Sequence, residues 1–104
     1  MFFEDQTVVD GMVRNVPGYE DKFPVWSVQS GGMHQFSTWV ALEAEGLGAN
    51  LQHYNPIIDD KVRAAWNLPE SWKLQAQLVF GGRTGEAGER TYKPTEDRIK
   101  VFGA

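Results

Sequence analysis

The chain has 104 residues, the length of one domain with a modest core, and residues 1–104 are therefore interpreted as a single domain. Its 14 acidic and 10 basic side chains give a net charge of -4, and the basic residues are scattered, which argues against nucleic acid as a partner. The absence of Cys excludes disulfides and thiolate zinc sites.

The N-terminal residues predict a helix followed by a turn. Asp5 is suited to cap a first helix over residues 6–15, because its carboxylate can accept from the unpaired amides of a first turn. The sequence PGYEDKFP, residues 17–24, has two prolines and a glycine and predicts a surface turn. The apolar side of this first helix is predicted to consist of Val8, Val9, Met12 and Val13.

The longest predicted element is a second helix over residues 24–45. Pro24 suits its first turn, because the fixed φ of proline is helical and its missing N–H would be unpaired there. Apolar and small side chains share one face at helical spacing: Gly32, Met33, Phe36, Ser37, Val40, Ala41 and Ala44. Small residues let another backbone come close, so this helix is interpreted either as a central core helix or as one that forms a homodimer.

The next stretch, GLGANLQHYNP at residues 46–56, has two interpretations. In the first it is only a connection, in which Gly46 or Gly48 ends the helix, ANLQHY forms a short strand, and Asn55 and Pro56 begin the next helix. In the second it borders a cofactor pocket, since ligand sites in α/β folds often lie where strands end.

The C-terminal half predicts one helix, two strands and a long loop. The helix covers residues 57–66, a strand with alternating apolar residues covers 72–81, and a glycine-rich loop covers 81–94. Residues 96–104 are expected to form a half turn and a terminal strand. The inward face of the helix is predicted to consist of Ile57, Ile58, Val62, Ala65 and Trp66.

Motifs for nucleophilic, zinc-protease or P-loop chemistry do not occur, and no catalytic residue is assigned. The two histidines alone do not make a metal site, and His34 on the long helix is interpreted as a satisfied polar residue rather than a ligand. No stretch approaches the roughly 20 apolar residues of a membrane span, and the start, MFFED, does not resemble a secretion signal. These features predict a cytoplasmic protein with no membrane partner. The MFF start also resembles the cut end of a buried strand.

Three long segments, GMHQFSTWVALEAEGLGANLQHYNPIID, VRAAWNLPESWKLQAQLVFG and GEAGERTYKPTEDRIKVFG, resemble the C-terminal half of the nitroreductase family. The likeness is to the compact fungal and bacterial branch that carries LQHYNP, and it covers nearly the whole chain. It implies a mixed α+β fold of the nitroreductase type. It also implies an FMN-dependent oxidoreductase that uses NAD(P)H and works as a homodimer.

The resemblance also assigns roles to residues. Gln52, His53 and Tyr54 would border the flavin ring, and backbone amides near His53 and Tyr54 would donate to flavin N5 and O4, where negative charge develops on reduction. Arg90, or next Lys93, would hold the FMN phosphate, which a guanidinium can bind with two hydrogen bonds. The substrates would be nitroaromatics or quinones.

Members of this branch are about twice as long as this chain, and their N-terminal half carries an Arg-rich segment that grips the flavin phosphate. We therefore expect the chain to lack the N-terminal half of the family fold. The alternative to an active oxidoreductase is a truncated, non-catalytic module that only associates through the helix at residues 24–45. In either case we expect an oligomer, because apolar surfaces of a partial fold remain exposed.

Overall fold

A computed structural model describes residues 1–103 and shows three α-helices and a three-stranded antiparallel sheet with the strand order β1-β3-β2. The α+β class predicted from the sequence is confirmed. The elements are β1 (Phe2–Asp5), α1 (Gln6–Asn15), α2 (Phe23–Ala44), β2 (Leu47–Gln52), α3 (Asp59–Trp66) and β3 (Trp72–Gly82), followed by a 3₁₀ turn at Thr95–Asp97.

β3 connects the sheet because it pairs with a different neighbour along each half. Its first half pairs with β1, where Leu74 lies opposite Phe3, and its second half pairs with β2, where Leu78 lies opposite Leu51. The buried apolar side chains are Val9, Leu74 and Ala76. The core is therefore small, with Leu74 and Ala76 on β3 and Val9 on α1.

The first helix has the bounds that the sequence predicts. The amide of Thr7 donates to Asp5 Oδ1 at 3.0 Å and the Thr7 hydroxyl donates to the same oxygen at 2.7 Å, so Asp5 is the cap. Of the predicted apolar side only Val9 is buried, whereas Val8 and Met12 are exposed. The apolar stripe of α1 is therefore only partly covered within this chain.

The junction between α2 and β2 shows which glycine ends the helix and where the following strand begins. Gly46 ends the helix with a φ of 80°, which glycine adopts without strain, and its amide donates to the Glu43 carbonyl at 3.0 Å. Gly48 lies inside β2, because the strand begins at Leu47, two residues before its predicted start at Ala49. Because the pairing with β3 begins at Leu47 and ends at Gln52, His53 follows the strand instead of closing it.

Two predictions for the C-terminal half are wrong. α3 begins at Asp59, after a turn in which the Asp59 amide donates to the Pro56 carbonyl at 3.1 Å, and Ile57 and Trp66 are 83% and 55% exposed. They are not inward-facing, because no described part of the chain covers them. The terminal strand is also wrong: residues 98–103 form no strand, and Ala104 lies outside the described residues. Residues 83–94 have no regular structure, as the loop prediction required.

α2 is apolar around its circumference yet contains no buried residue. Its exposed large apolar side chains are Val25, Trp26, Val28, Met33, Phe36 and Val40. The accessible surface of the chain is 8447 Å², against about 5,900 Å² for a compact monomer of this mass, and its radius of gyration is 18.1 Å against about 13 Å. α2 is therefore not a core helix of this chain alone.

Candidate functional site

Residues 53–56, which join β2 to α3, are held by side-chain amides instead of sheet pairing. The last residue pair of the β2–β3 ladder is Gln52 with Gln77. Beyond it, the Tyr54 amide donates to Gln77 Oε1 at 2.8 Å, and Gln77 Nε2 donates to Asn55 Oδ1 at 3.1 Å. Gln77 is only 5% exposed, so pairing both ends of its amide offsets the cost of burying it.

Asn55 extends this network to the strand and to the next helix. Its Nδ2 donates to the Leu74 carbonyl at 2.7 Å and to Asp59 Oδ1 at 3.1 Å. Leu74 precedes the part of β3 that pairs with β2, so the Asn55 side chain takes the place of a strand partner there. One side chain thus anchors the end of the segment that leads into α3.

His53 is exposed but oriented by a backbone contact. Its Nδ1 lies 3.2 Å from the Gln75 carbonyl oxygen. Because a carbonyl oxygen can only accept, this contact requires a proton on Nδ1, and in a neutral imidazole Nε2 is then an acceptor. The ring therefore presents a defined tautomer in this arrangement.

His53 borders a cavity of about 650 Å³ between β1, α1 and α2, which we call the histidine cavity. It contains both histidines of the sequence, and the His34 ring packs edge-on against Phe2 with ring centroids 5.3 Å apart. The rest of its wall is mixed: Val9 and Val28 contribute apolar surface, and Glu4 and Gln75 contribute polar groups. His34 thus contacts an aromatic ring but is exposed, and its side chain forms no hydrogen bond within residues 1–103, so its interpretation as a satisfied polar residue stays a prediction.

A second cavity of about 650 Å³, which we call the arginine cavity, lies between α2, β2 and the segment after β3. Phe36 and Trp39 form an aromatic wall, and Arg83 and Arg90 supply positive charge. Arg83 is paired with Glu43, whereas Arg90 forms no salt bridge within residues 1–103. Arg90 is therefore the basic group of this cavity that is not already neutralised by a carboxylate of the described chain.

The structure brings some of the predicted site residues together and separates others. Gln52, His53 and Tyr54 are adjacent at the end of β2, and the Gln52 side chain donates to Asn50. Arg90 lies in the arginine cavity and not in the histidine cavity, and Lys93 is exposed on the irregular segment after β3. The Tyr54 amide already donates to a side chain of its own chain, so it does not serve a flavin in this conformation. The other assigned contacts stay predictions.

Other site types find no support in the described part of the chain. Within residues 1–103 no group of three or more His, Asp or Glu residues is placed to hold a metal ion. No described helix is both long enough and apolar enough to cross a bilayer.

The family assignment follows from a match that spans most of these elements. The nitroreductase family model matches residues 8–82, which run from α1 to the end of β3 and include the LQHYNP segment. The chain belongs to the nitroreductase family. The resemblance inferred from the sequence is confirmed, and the coarse function of this family is oxidoreduction of the nitroreductase type.

Two curated relatives of this nitroreductase-family chain come from Saccharomyces cerevisiae. HBN1 is 45% identical over 102 residues, which cover 98% of this chain and 51% of HBN1. The nitroreductase FRM2 is 38% identical over 92 residues, which cover 88% of this chain and 47% of FRM2. The chain therefore spans about half the length of the curated relatives it matches.

Solved nitroreductase structures also match most of this chain with about half of their own length. The nitroreductase CinD from Lactococcus lactis, in complex with nicotinic acid, has a TM-score of 0.92 and 54% identity, covering 95% of this chain and 52% of CinD. A nitroreductase from Saccharomyces cerevisiae has a TM-score of 0.65 and 39% identity over 79% of this chain and 45% of its own. The nitroreductase-like fold predicted from the sequence is confirmed.

Sequence reasoning missed Gln77, which supports the candidate site from behind. The alternation of β3 places Leu74, Ala76 and Leu78 on one face and predicts that Gln77 points away from the core. It is buried because residues 54 and 55 fold over the opposite face of the strand. β3 also carries Lys73 and Gln75, so a polar residue at position 77 was a weak signal of this role.

Proposed function

We propose that this nitroreductase-family chain acts in an FMN-dependent, NAD(P)H-using oxidoreductase of the cytoplasm, which reduces nitroaromatics or quinones by hydride transfer through flavin N5. The observation that carries the proposal is the end of β2, where His53 lines the histidine cavity and the next residue, Tyr54, has its amide held by Gln77. CinD was solved with the nitroaromatic molecules 4-nitrophenol and chloramphenicol. That chemistry matches the proposed substrate class.

The residues present suit the flavin ring. The histidine cavity combines apolar side chains, such as Phe2 and Val9, with polar ones, which suits an aromatic ring system that has polar edges, and His53 is a polar group at its border. Since the Tyr54 amide is engaged by Gln77, His53 is the residue of this segment that we assign to the polar edge of the ring. Gln52 and Tyr54 are assigned to its border.

The residues present also suit the phosphate. Arg90 is a cation without a carboxylate partner in the described chain, and a guanidinium can give a phosphate two hydrogen bonds. Lys93, three residues later, is the second choice. Because Arg90 and His53 border different cavities, we propose that a second copy of the chain helps to complete the site.

The protein residues bind and orient, and they need no nucleophile of their own. FMN, when bound, supplies the acceptance of hydride from NAD(P)H and its delivery to the nitro or quinone substrate. His53, held by the Gln75 carbonyl, presents a fixed ring to the cavity. Apolar side chains such as Val9 and Val28 supply surface against which the flavin ring can pack.

Self-association through α2 is part of the proposal. The large apolar side chains of α2 require other surfaces to cover them in water, and none of the residues of this helix is buried within this chain. The accessible surface exceeds that of a compact monomer by about 2,500 Å², which is the area that large, permanent interfaces bury. A homodimer through this helix accounts for both observations.

The first test is the visible spectrum of the purified chain after FMN is added and unbound FMN is removed by desalting. A retained flavin band near one FMN per chain supports the proposal, and turnover with 4-nitrophenol and a quinone then follows. A colourless protein that holds no FMN refutes it for this chain.

A second test separates the phosphate contact from the ring contact. Arg90→Gln is expected to weaken FMN binding on the order of tenfold or more, since a hydrogen bond to a charged group contributes about 1.5–3 kcal/mol. The same variant should bind riboflavin, which has no phosphate, as the wild type does. Lys93→Gln tests the second choice in the same way, and Lys61→Gln, at an exposed position of α3 that lines neither cavity, is the matched control. An equal loss for both ligands in Arg90→Gln contradicts the assignment.

The second candidate function is a non-catalytic nitroreductase-like module that only associates through α2. The observation that favours it is the exposed apolar surface of this helix, together with the match to about half of each relative. This candidate predicts an oligomer that binds neither FMN nor riboflavin.

A further inference from the structure

Gln77 is the buried polar side chain of the described core, and its two amide atoms serve two different residues. Oε1 accepts from the Tyr54 amide at 2.8 Å, and Nε2 donates to Asn55 Oδ1 at 3.1 Å. Its exposure is 5%. A strand whose neighbouring inner positions carry Leu74 and Ala76 does not need an amide for packing, so the amide calls for another explanation.

We propose that Gln77 is a positioning residue: it acts through Tyr54 and Asn55 to fix residues 53–56, and so aligns His53 with the flavin. The flavin part of this inference rests on the proposed function. The part about the segment rests on the hydrogen bonds alone.

Sheet pairing cannot perform this task. The β2–β3 ladder ends at the pair of Gln52 and Gln77, so the residues that follow have no strand partner. His53 and Tyr54 are exposed, and without the Gln77 amide their backbone would be free to exchange its hydrogen bond for one to water. Asn55 keeps its own bonds to Leu74 and Asp59, so the loss of order should centre on residues 53 and 54.

The arrangement requires one acceptor and one donor on the same side chain. Met at position 77 has a similar length but supplies neither, and it leaves the Tyr54 amide and Asn55 Oδ1 without partners. Glu supplies the acceptor for Tyr54 but, when ionised, places a carboxylate oxygen against Asn55 Oδ1. Gln77→Glu should therefore keep only the contact with the Tyr54 amide, whereas Gln77→Met should keep neither contact.

Gln6→Met is the matched control. Gln6 also donates one side-chain hydrogen bond within the chain, to Glu4, but it lies at the start of α1 and does not contact residues 53–56. Urea unfolding of all variants records global stability, so that a local effect can be separated from a general loss of structure.

The experiment combines three measurements on the full chain. Amide hydrogen exchange by NMR is expected to show the Tyr54 amide exchanging at least about tenfold faster in Gln77→Met, less so in Gln77→Glu, and unchanged in Gln6→Met. FMN titration is expected to show about tenfold weaker binding in Gln77→Met and a shifted reduction potential of the flavin that remains bound. Neither flavin property should change in Gln6→Met.

Each outcome decides something. If the wild type holds no FMN, the proposed function is wrong, and so is the alignment of His53 with the flavin. The exchange rates then still decide whether Gln77 fixes residues 53–56. If the Tyr54 amide exchanges equally in wild type and Gln77→Met, the positioning role is wrong. Faster exchange with unchanged FMN affinity and potential also overturns the alignment, as does an equal loss of FMN binding in Gln6→Met.

Discussion

Met33→Asp on α2 is expected to weaken self-association of the chain by about thirtyfold to several hundredfold. Met33 is 64% exposed, so the change disturbs little packing within one chain. Full burial of a Met side chain stabilises by about 1.5–3 kcal/mol, and covering the exposed two-thirds is then worth about 1–2 kcal/mol. A two-fold dimer loses this contribution twice, about 2–4 kcal/mol, and every 1.4 kcal/mol is tenfold in affinity. The buried carboxylate adds to the loss.

Sedimentation velocity over a range of micromolar concentrations measures this shift directly. The wild type should sediment as an associated species, and Met33→Asp should contain more monomer at each concentration. Ile57→Asp is the matched control, since it makes the same change of charge on a side chain that is 83% exposed and lies outside α2. A monomeric wild type, or equal dissociation by the two variants, would refute the argument that α2 is the interface.

Two further predictions concern the stability of the chain. The hydroxyl and amide of Thr7 hold the pKa of the Asp5 carboxyl below its ordinary 3.8, so this stabilisation is present above 3.8 and lost as pH falls through the lower folded value. The urea midpoint of Asp5→Asn should decline less than that of the wild type over this acidic range, and Asp10→Asn on the same helix should decline like the wild type. Gly46→Ala should lower the free energy of unfolding by roughly 1–2 kcal/mol because the φ of Gly46 is 80°, whereas Gly11→Ala, which has open space at its Cβ inside α1, should raise it by roughly 0.5–1 kcal/mol. Chemical denaturation measures both glycine variants, and effects of the same sign would contradict the account.

Local sequence signals were sufficient where the structure depends on near neighbours. The cap at Asp5, the bounds of α1, the start of α2 near Pro24 and the positive φ of Gly46 all follow from side chains a few residues apart. The same holds for β3, whose alternation of Leu74, Ala76 and Leu78 predicted a strand over residues 72–81. Each of these features is decided by the preferences of one segment.

The candidate site was only partly visible in the sequence. The LQHYNP segment marked residues 52–54, and the structure places them together at a strand end. It did not reveal that Gln77, more than twenty residues later, takes the Tyr54 amide, or that Arg90 and His53 border different cavities. These relations depend on which strands pair and where a connection folds back, and they are therefore properties of the whole fold.

The sequence by itself determined the family, the α+β class and the order of the helices and of β1, β2 and β3, because these depend on local periodicity and on a long contiguous resemblance. Only the tertiary structure decided which apolar faces are covered. The apolar side chains of α2 have the sequence pattern of a buried element, and so do Ile57 and Trp66. All of these are nevertheless without a buried position in this chain. An apolar pattern requires a covering surface, but it does not specify whether that surface belongs to the same chain, and this is the physical reason for the difference.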